Sequence, residues 1–357
     1  MNRKERRASA KQLRTGTGKG ATEASAKVQQ AIALVQAGDF DAAEQLLEAA
    51  RRTAPNDAEA MHQLGMLYVR SGRSDPGIAL LKQAVALKPQ EYIYWNNLSA
   101  AYLSVEMSEQ AVEAARKTVA LSPGYSMAWQ NLAFGLRDFS DHTGAVEAFE
   151  QADKTGPLEP PSFASWGESL GVLGRHAEGE QMVRRALDGA PDDAAILTLL
   201  GWLLVEQRKD VEARDVFKKS LELKANQFLA AFNYGVLLLR VSETEAALRW
   251  LRRATSINPK SAAAWRVLAL ELHRHGLNEE AVPAAERCLR LAPEDGAVRA
   301  LLAKLKAVPG AEAESTVIDF SDPAPLGPAS DAAKREKKSD GSGESTILDL
   351  STINFGD

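Results

Sequence analysis

Residues 92–125 read YIYWNNLSAAYLSVEMSEQAVEAARKTVALSPGY. Trp95, Leu98 and Tyr102 stand three and four apart, an apolar stripe down one helix. The 34 residues leave room for a second helix before Pro123. One helical hairpin cannot bury its own apolar face, so the reading turns on whether the pattern recurs and its copies stack.

It does recur. Steps of 34 from Ala24 give Ala58, Tyr92, Ser126, Pro160, Ala194, Phe228 and Ala262, each opening the same pattern with no insertion or deletion. The eighth position is small throughout (Ala31, Gly65, Ser99, Ala133, Gly167, Gly201, Gly235, Ala269). So is the twentieth (Ala43, Gly77, Ala111, Ala145, Gly179, Ala213, Ala247, Ala281), and the twenty-seventh is small from Ala50 through to Cys288. Small residues suit places where two helices approach closely. Large residues alternate with them: Trp95, Trp129 and Trp265 at the fourth position, Phe149 and Phe217 at the twenty-fourth. A turn such as Ala37-Gly38-Asp39 separates the two helices. Proline at the thirty-second position (Pro55, Pro89, Pro123, Pro157, Pro191, Pro259, Pro293) stops the second.

This pattern resembles the tetratricopeptide repeat (TPR) family: Trp-Leu-Gly-Tyr in a first helix, Ala-Phe-Ala in a second, Pro at the close. The resemblance covers eight repeats over residues 24–295 and implies an all-α, right-handed α-α superhelix. Local departures are Ala225 at a proline position, a sixth-repeat turn Arg208-Lys209-Asp210 without glycine, and Lys27 where repeat one would carry a large residue. Residues 296–308 read as a capping helix with Val298, Leu301, Leu302 and Leu305 inward. A pentatricopeptide RNA-binding array would have a period one residue longer and a basic surface, and neither is present.

In such arrays the first helices line a concave face. Its sixth-position column is Gln29, Gln63, Asn97, Asn131, Ser165, Leu199, Asn233 and Val267. An amide both donates to and accepts from a peptide unit, so the column could hold a backbone without reading its side chains. Asn97, Asn131 and Asn233 resemble the asparagine ladder in the TPR groove of O-linked N-acetylglucosamine transferase, and Gln29 and Gln63 extend it. The ninth position, with Ile32, Met66, Phe134, Trp202, Val236 and Leu270, is expected to give solvent an apolar row. Arg70, Arg137, Arg240, Arg266 and Arg274 are expected to add positive charge. The partner implied is an extended protein segment mixing apolar and acidic residues. The family's basic clamp for chaperone tails is not matched, because His62, Asn96 and Gln130 stand at its positions.

The ends differ in character. Residues 1–23 form a basic arm, and 309–357 a tail rich in Pro, Gly, Ser and charge; both are expected to be disordered. Within the tail, 314–321 reads ESTVIDFS and 344–351 reads ESTILDLS, alternations suited to binding in extended form. They could dock on an outside partner or on the protein's own groove. The arm could touch RNA, anionic lipid or an acidic protein, or serve only to solubilise. It also resembles the opening of some bacterial TPR proteins associated with glycosyltransferase or methyltransferase modules.

A net charge of −5 argues against a general nucleic-acid or membrane-surface binder. One cysteine, Cys288, excludes an internal disulfide framework and a cysteine-based zinc cluster. No apolar run is long enough to span a bilayer, and MNRKERRASAKQLR lacks a signal peptide's apolar core, so a cytoplasmic protein is expected. Gly16-Thr17-Gly18-Lys19-Gly20 lacks phosphate-loop spacing, and His273 and His275 point to different helix faces. No catalytic residue, metal site or cofactor is expected. The function read from the sequence is a non-catalytic scaffold or adaptor; the alternative is a substrate-recognition subunit for a separately encoded modifying enzyme such as a glycosyltransferase.

Overall fold

The computed structural model describes residues 22–307; the basic arm, the tail and its two motifs lie outside the described residues. The described residues are all-α, in two compact units, 22–158 and 159–307. The first holds α1 (22–36), α2 (Phe40–Thr53), α3 (Ala58–Arg70), α4 (Ser74–Leu87), α5 (Tyr92–Leu103), α6 (Ser108–Leu121), α7 (Ser126–Asp138) and α8 (His142–Thr155). The second holds α9 (Pro160–Val172), α10 (His176–Gly189), α11 (Ala194–Glu206), α12 (Asp210–Leu223), α13 (Phe228–Arg240), α14 (Thr244–Ile257), α15 (Ala262–Arg274), α16 (Asn278–Leu291) and α17 (Gly296–Lys306). From α3 onward, the odd-numbered helices up to α15 begin 34 residues apart.

Each hairpin is closed by a residue in the left-handed region at the fifteenth repeat position. Gly38, Gly72, Gly174 and Gly276 have φ of 83°, 78°, 77° and 76° there. Glycine suits this because it has no Cβ to clash. In the first hairpin Gly38 N–H donates to Val35 O (3.1 Å) and Asp39 N–H to Leu34 O (2.9 Å), satisfying the last carbonyls of α1. Glu106, Ser140, Arg208 and Ser242 adopt the same conformation at φ of 60° to 66°, so the sixth-repeat turn without glycine closes in the same way.

Within a hairpin the two helices cross at the eighth and twentieth positions. A Cβ on Gly65 would lie 2.9 Å from Gly77 O, and one on Gly77 would lie 2.7 Å from Gly65 O. The second unit repeats this at Gly167 and Gly179. In the third repeat Ser99 Oγ donates to Ala111 O at 2.8 Å, a hydroxyl occupying the same crossing. Phe149 and Phe217 fill the hairpin interiors with no exposed surface, each stabilising its unit by about 1.5–3 kcal/mol.

Successive hairpins are joined by four-residue turns with proline second, the place its fixed φ suits, except at Lys224-Ala225-Asn226-Gln227. In six of them the residue before the next helix donates its N–H back across the turn, as Glu91 does to Lys88 O (3.1 Å) and Tyr125 to Ser122 O (3.1 Å). The exposed proline carbonyl then needs a donor. Trp95, Trp129 and Trp265 supply it, with Nε1 at 2.9, 2.8 and 3.0 Å from Pro89 O, Pro123 O and Pro259 O. Leu197 and Ala231 take the tryptophan's place in the sixth and seventh repeats. There Lys219 reaches Pro191 O (2.9 Å) and Arg253 reaches Ala225 O (3.2 Å) from the second helix. In α17, Arg299 reaches Pro293 O.

Adjacent second helices are tied by ion pairs. Glu44 meets Arg73 (2.5 Å), Glu180 meets Lys209 (2.7 Å), and Arg214 meets Glu243. All three pairs join the twenty-first position of one repeat to the sixteenth of the next, and the last has its charges reversed.

Candidate functional site

The first-helix face is built differently from its sequence expectation. Neighbouring first helices pack side by side: α3 on α5 and α5 on α7 in one unit, α9 on α11 and α11 on α13 in the other. Side chains along this face therefore cover each other. Gln63, Asn97, Asn131 and Asn233 are buried, while Gln29 on α1 is exposed. The apolar row expected to reach solvent does not do so as a row: Met66 is 1% exposed, Trp202 5% and Val236 7%. Phe134, Ile32 and Leu270 are half-buried. The Trp202 ring lies over Gly171, where a Cβ would come within 2.6 Å of it.

The expected positive row is corrected as well, because carboxylates neutralise most of it. Arg137, itself buried, bonds Asp138 (2.8 and 3.0 Å) and lies 5.5 Å from the Phe134 ring centroid. Arg240 pairs with Asp210 and donates to Val205 O (3.1 Å). Arg266 lies 3.3 Å from Asp295, and Arg274 3.0 Å from Glu271. Arg70 stays exposed, with its guanidinium 4.6 Å from the Phe40 ring centroid.

In the first unit the amides belong to a polar chain that links repeats. Asn97 Nδ2 lies 2.9 Å from His62 Nε2, and His62 Nδ1 lies 3.8 Å from Glu59 Oε1. Asn96 Nδ2 donates to Asn97 Oδ1 (3.3 Å), and Asn131 Nδ2 donates to Asn96 Oδ1 (2.9 Å). At the other end Glu59 accepts from Gln63 Nε2 (2.8 Å) and from the Tyr94 hydroxyl (2.7 Å), and the Tyr94 ring stacks on His62 at 4.4 Å. Burial pushes the Glu59 carboxyl up, but His62, Tyr94 and Gln63 outweigh it and hold the group at about 2. Burial, followed by the bond to Glu59, pushes the Tyr94 phenol well up.

Two members of the chain keep an unused acceptor. Gln63 and Asn131 donate through nitrogen, while Gln63 Oε1 and Asn131 Oδ1 accept nothing from the protein. In the second unit Asn233 Oδ1 and Trp202 Nε1 are buried without protein partners. The fifth-position residues His62 and Asn96 escaped the sequence reading, which used them only to set aside a basic clamp. The signal that would have found them is polar pairing between the fifth position of one repeat and the sixth of the next, 35 residues on.

No group of three His, Cys, Asp or Glu side chains able to hold a metal ion is present among the described residues. Cys288 is fully buried, and desolvation with the Asp295 charge pushes its thiol up to about 11. No described helix is long and apolar enough to cross a membrane.

Among curated proteins, the human protein O-mannosyl-transferase TMTC1 is 25% identical over 165 residues, which is 45% of this chain and 19% of that protein. The chain thus spans about a fifth of the length of the curated relative it matches. Among solved structures, the APC/C hetero-tetramer Cut9-Hcn1 superposes with a TM-score of 0.57 at 16% identity, covering 75% of this chain and 53% of that one. Pseudomonas aeruginosa pilF superposes at 0.52 with 20% identity, covering 61% and 100%. The family model described as the cilia and flagella-associated protein 70 C-terminal domain, a TPR domain, matches residues 2–233. The tetratricopeptide-repeat model matches residues 232–296. Helical hairpins at a 34-residue period and these two matches lead to one assignment: the chain belongs to the tetratricopeptide-repeat family, over most of its length in the group defined by that C-terminal domain.

Proposed function

We propose that this chain is a non-catalytic interaction scaffold whose first-helix faces hold an extended segment of another protein. The face offered carries Gln29, Gln63, Asn97, Asn131 and Asn233, the apolar Met66, Phe134 and Trp202, and Arg70, Arg137 and Arg240; of these Gln29, Arg70 and the half-buried Phe134 reach solvent as whole side chains, and the buried amides meet a guest only through polar atoms they leave unused. The observation that carries this reading is the pair of unused amide oxygens, Gln63 Oε1 and Asn131 Oδ1, on amides already oriented through their nitrogens. Two fixed acceptors on one face suit the N–H groups of an extended backbone, at little further ordering cost. The stacked hairpins of the first unit, from α1 to α8, supply a length for such a segment.

The test uses peptides selected from a display library on the full chain. Gln63→Leu combined with Asn131→Leu removes both acceptors, at about 0.5–1.5 kcal/mol per net hydrogen bond. The expected loss of peptide affinity is roughly 5- to 150-fold. Thermal unfolding run in parallel registers any damage to the polar chain. Unchanged affinity in a folded variant would remove the face from consideration.

The match to a protein O-mannosyl-transferase favours a second reading, in which the chain selects substrates for a separately encoded sugar-transferring enzyme. That reading requires co-purification with such an enzyme. Transfer activity from the purified chain alone would contradict both readings.

A further inference from the structure

The last two repeats carry a surface of their own. Between α14 and α16, above α15, lies a groove of about 550 Å³. Its floor is Trp265, Leu268, Leu272 and Ala284. Two features of the eighth repeat open it. Its twenty-third position is Ala284, where the preceding repeat has Trp250, whose ring packs 5.5 Å from Tyr234. One residue earlier stands Pro283, inside α16; it has no N–H for the Glu279 carbonyl, which leaves an acceptor on the outer helix. The rim is cationic. Arg252 is held by Glu280 at 2.8 Å. Arg287 and Arg290 also line the groove, and neither forms an ion pair with a carboxylate among the described residues.

The chain leaves the described structure beside this groove. α17 packs on α16, and Lys306 Nζ lies 2.7 Å from Glu286 Oε1, next in sequence to Arg287. Glu314 follows Ala307 by seven residues, a reach of up to about 25 Å. The segment 314–321, ESTVIDFS, has Val317, Ile318 and Phe320 for an apolar floor and Glu314 and Asp319 for an arginine rim.

We propose that 314–321 docks in the groove between α14 and α16 of the same molecule, with its carboxylates on Arg287 and Arg290. Docking in cis holds the segment at an effective concentration on the order of millimolar. The groove is thereby closed to outside ligands of like sequence until the tail is displaced.

The probe is a fluorescein-labelled ESTVIDFS peptide, read by anisotropy on the full-length chain. Ile318→Ser with Phe320→Ser in the tail empties the groove, and the labelled peptide then binds at least about ten-fold more tightly than to the parent. In that background Arg287→Glu with Arg290→Glu weakens the peptide at least about ten-fold. A peptide carrying Glu314→Arg and Asp319→Arg regains the loss, an outcome that a misfolded variant cannot give. Equal affinity in parent and tail variant overturns docking in cis. Binding indifferent to both arginine reversals overturns this groove and places the segment elsewhere. Affinity in the parent that falls as the chain is concentrated assigns the tail to a second copy, which also overturns the proposal.

Discussion

Asn97 and Asn131 illustrate how a side chain's surroundings decide its use. Each sits where a ladder would offer an amide to a guest, yet each spends donors on the preceding repeat: Asn97 on His62, Asn131 on Asn96. An alanine at either site leaves a buried polar partner unpaired, which costs stability as well as any ligand contact. Glu59, at the head of the same chain, gives it a pH dependence. Its carboxyl is held at about 2 when folded, below its ordinary value of 4.5. Between those values the unfolded chain binds the extra proton, so this contribution is complete above about pH 4.5 and is lost as pH falls toward 2. Thermal melts from pH 7 to pH 2 should show Glu59→Gln flattening the acid limb relative to the parent. Parallel acid limbs would mean that other carboxylates carry it.

At the level of helices, contact between repeats is made by interchangeable means. A turn carbonyl is capped by tryptophan from the fourth position or by lysine or arginine from the twenty-sixth. The twenty-first and sixteenth positions pair as acid with base or as base with acid. The second case predicts a double-mutant cycle. Arg214→Glu or Glu243→Arg alone should lower stability by about 0.2–1 kcal/mol, and both together should restore most of it. Urea unfolding of the four proteins measures this, and simple additivity would mean that the pair contributes nothing. Helix positions were legible in the sequence because they follow from spacing within one repeat: small residues at the crossing, proline at the turn. Exposure was not legible. Met66 is buried although the pattern turns it outward, Trp202 lies over Gly171 of the preceding first helix, and Arg240 finds Asp210 thirty residues back. A linear pattern names the face a residue occupies but not what covers that face.

Each unit, taken whole, is a stack in which a helix touches its neighbours and little else. Its stability is then close to a sum over hairpins and the interfaces between them. The exposed end of the second unit is covered by α17, whose Val298 and Leu301 are fully buried against α15 and α16. Val298→Asp places an unpaired charge in that contact, which is costly. Amide exchange should then quicken in α15, α16 and α17 while α9 and α10 keep the parent's protection. Equal loosening throughout would show the unit melting as one body.

The reversible polarity of the pairs at the twenty-first and sixteenth positions also bears on how such a chain can lengthen. Copying the sixth repeat in tandem would set Arg214 of one copy against Lys209 of the next, two cations in place of an ion pair. Copying the seventh would set Leu248 against a second Glu243 and leave that carboxylate without a counter-charge. At these joints the modules share a backbone but not a coupling, so a duplicated sixth or seventh repeat would meet its new neighbour without the ion pair until a compensating substitution restored it.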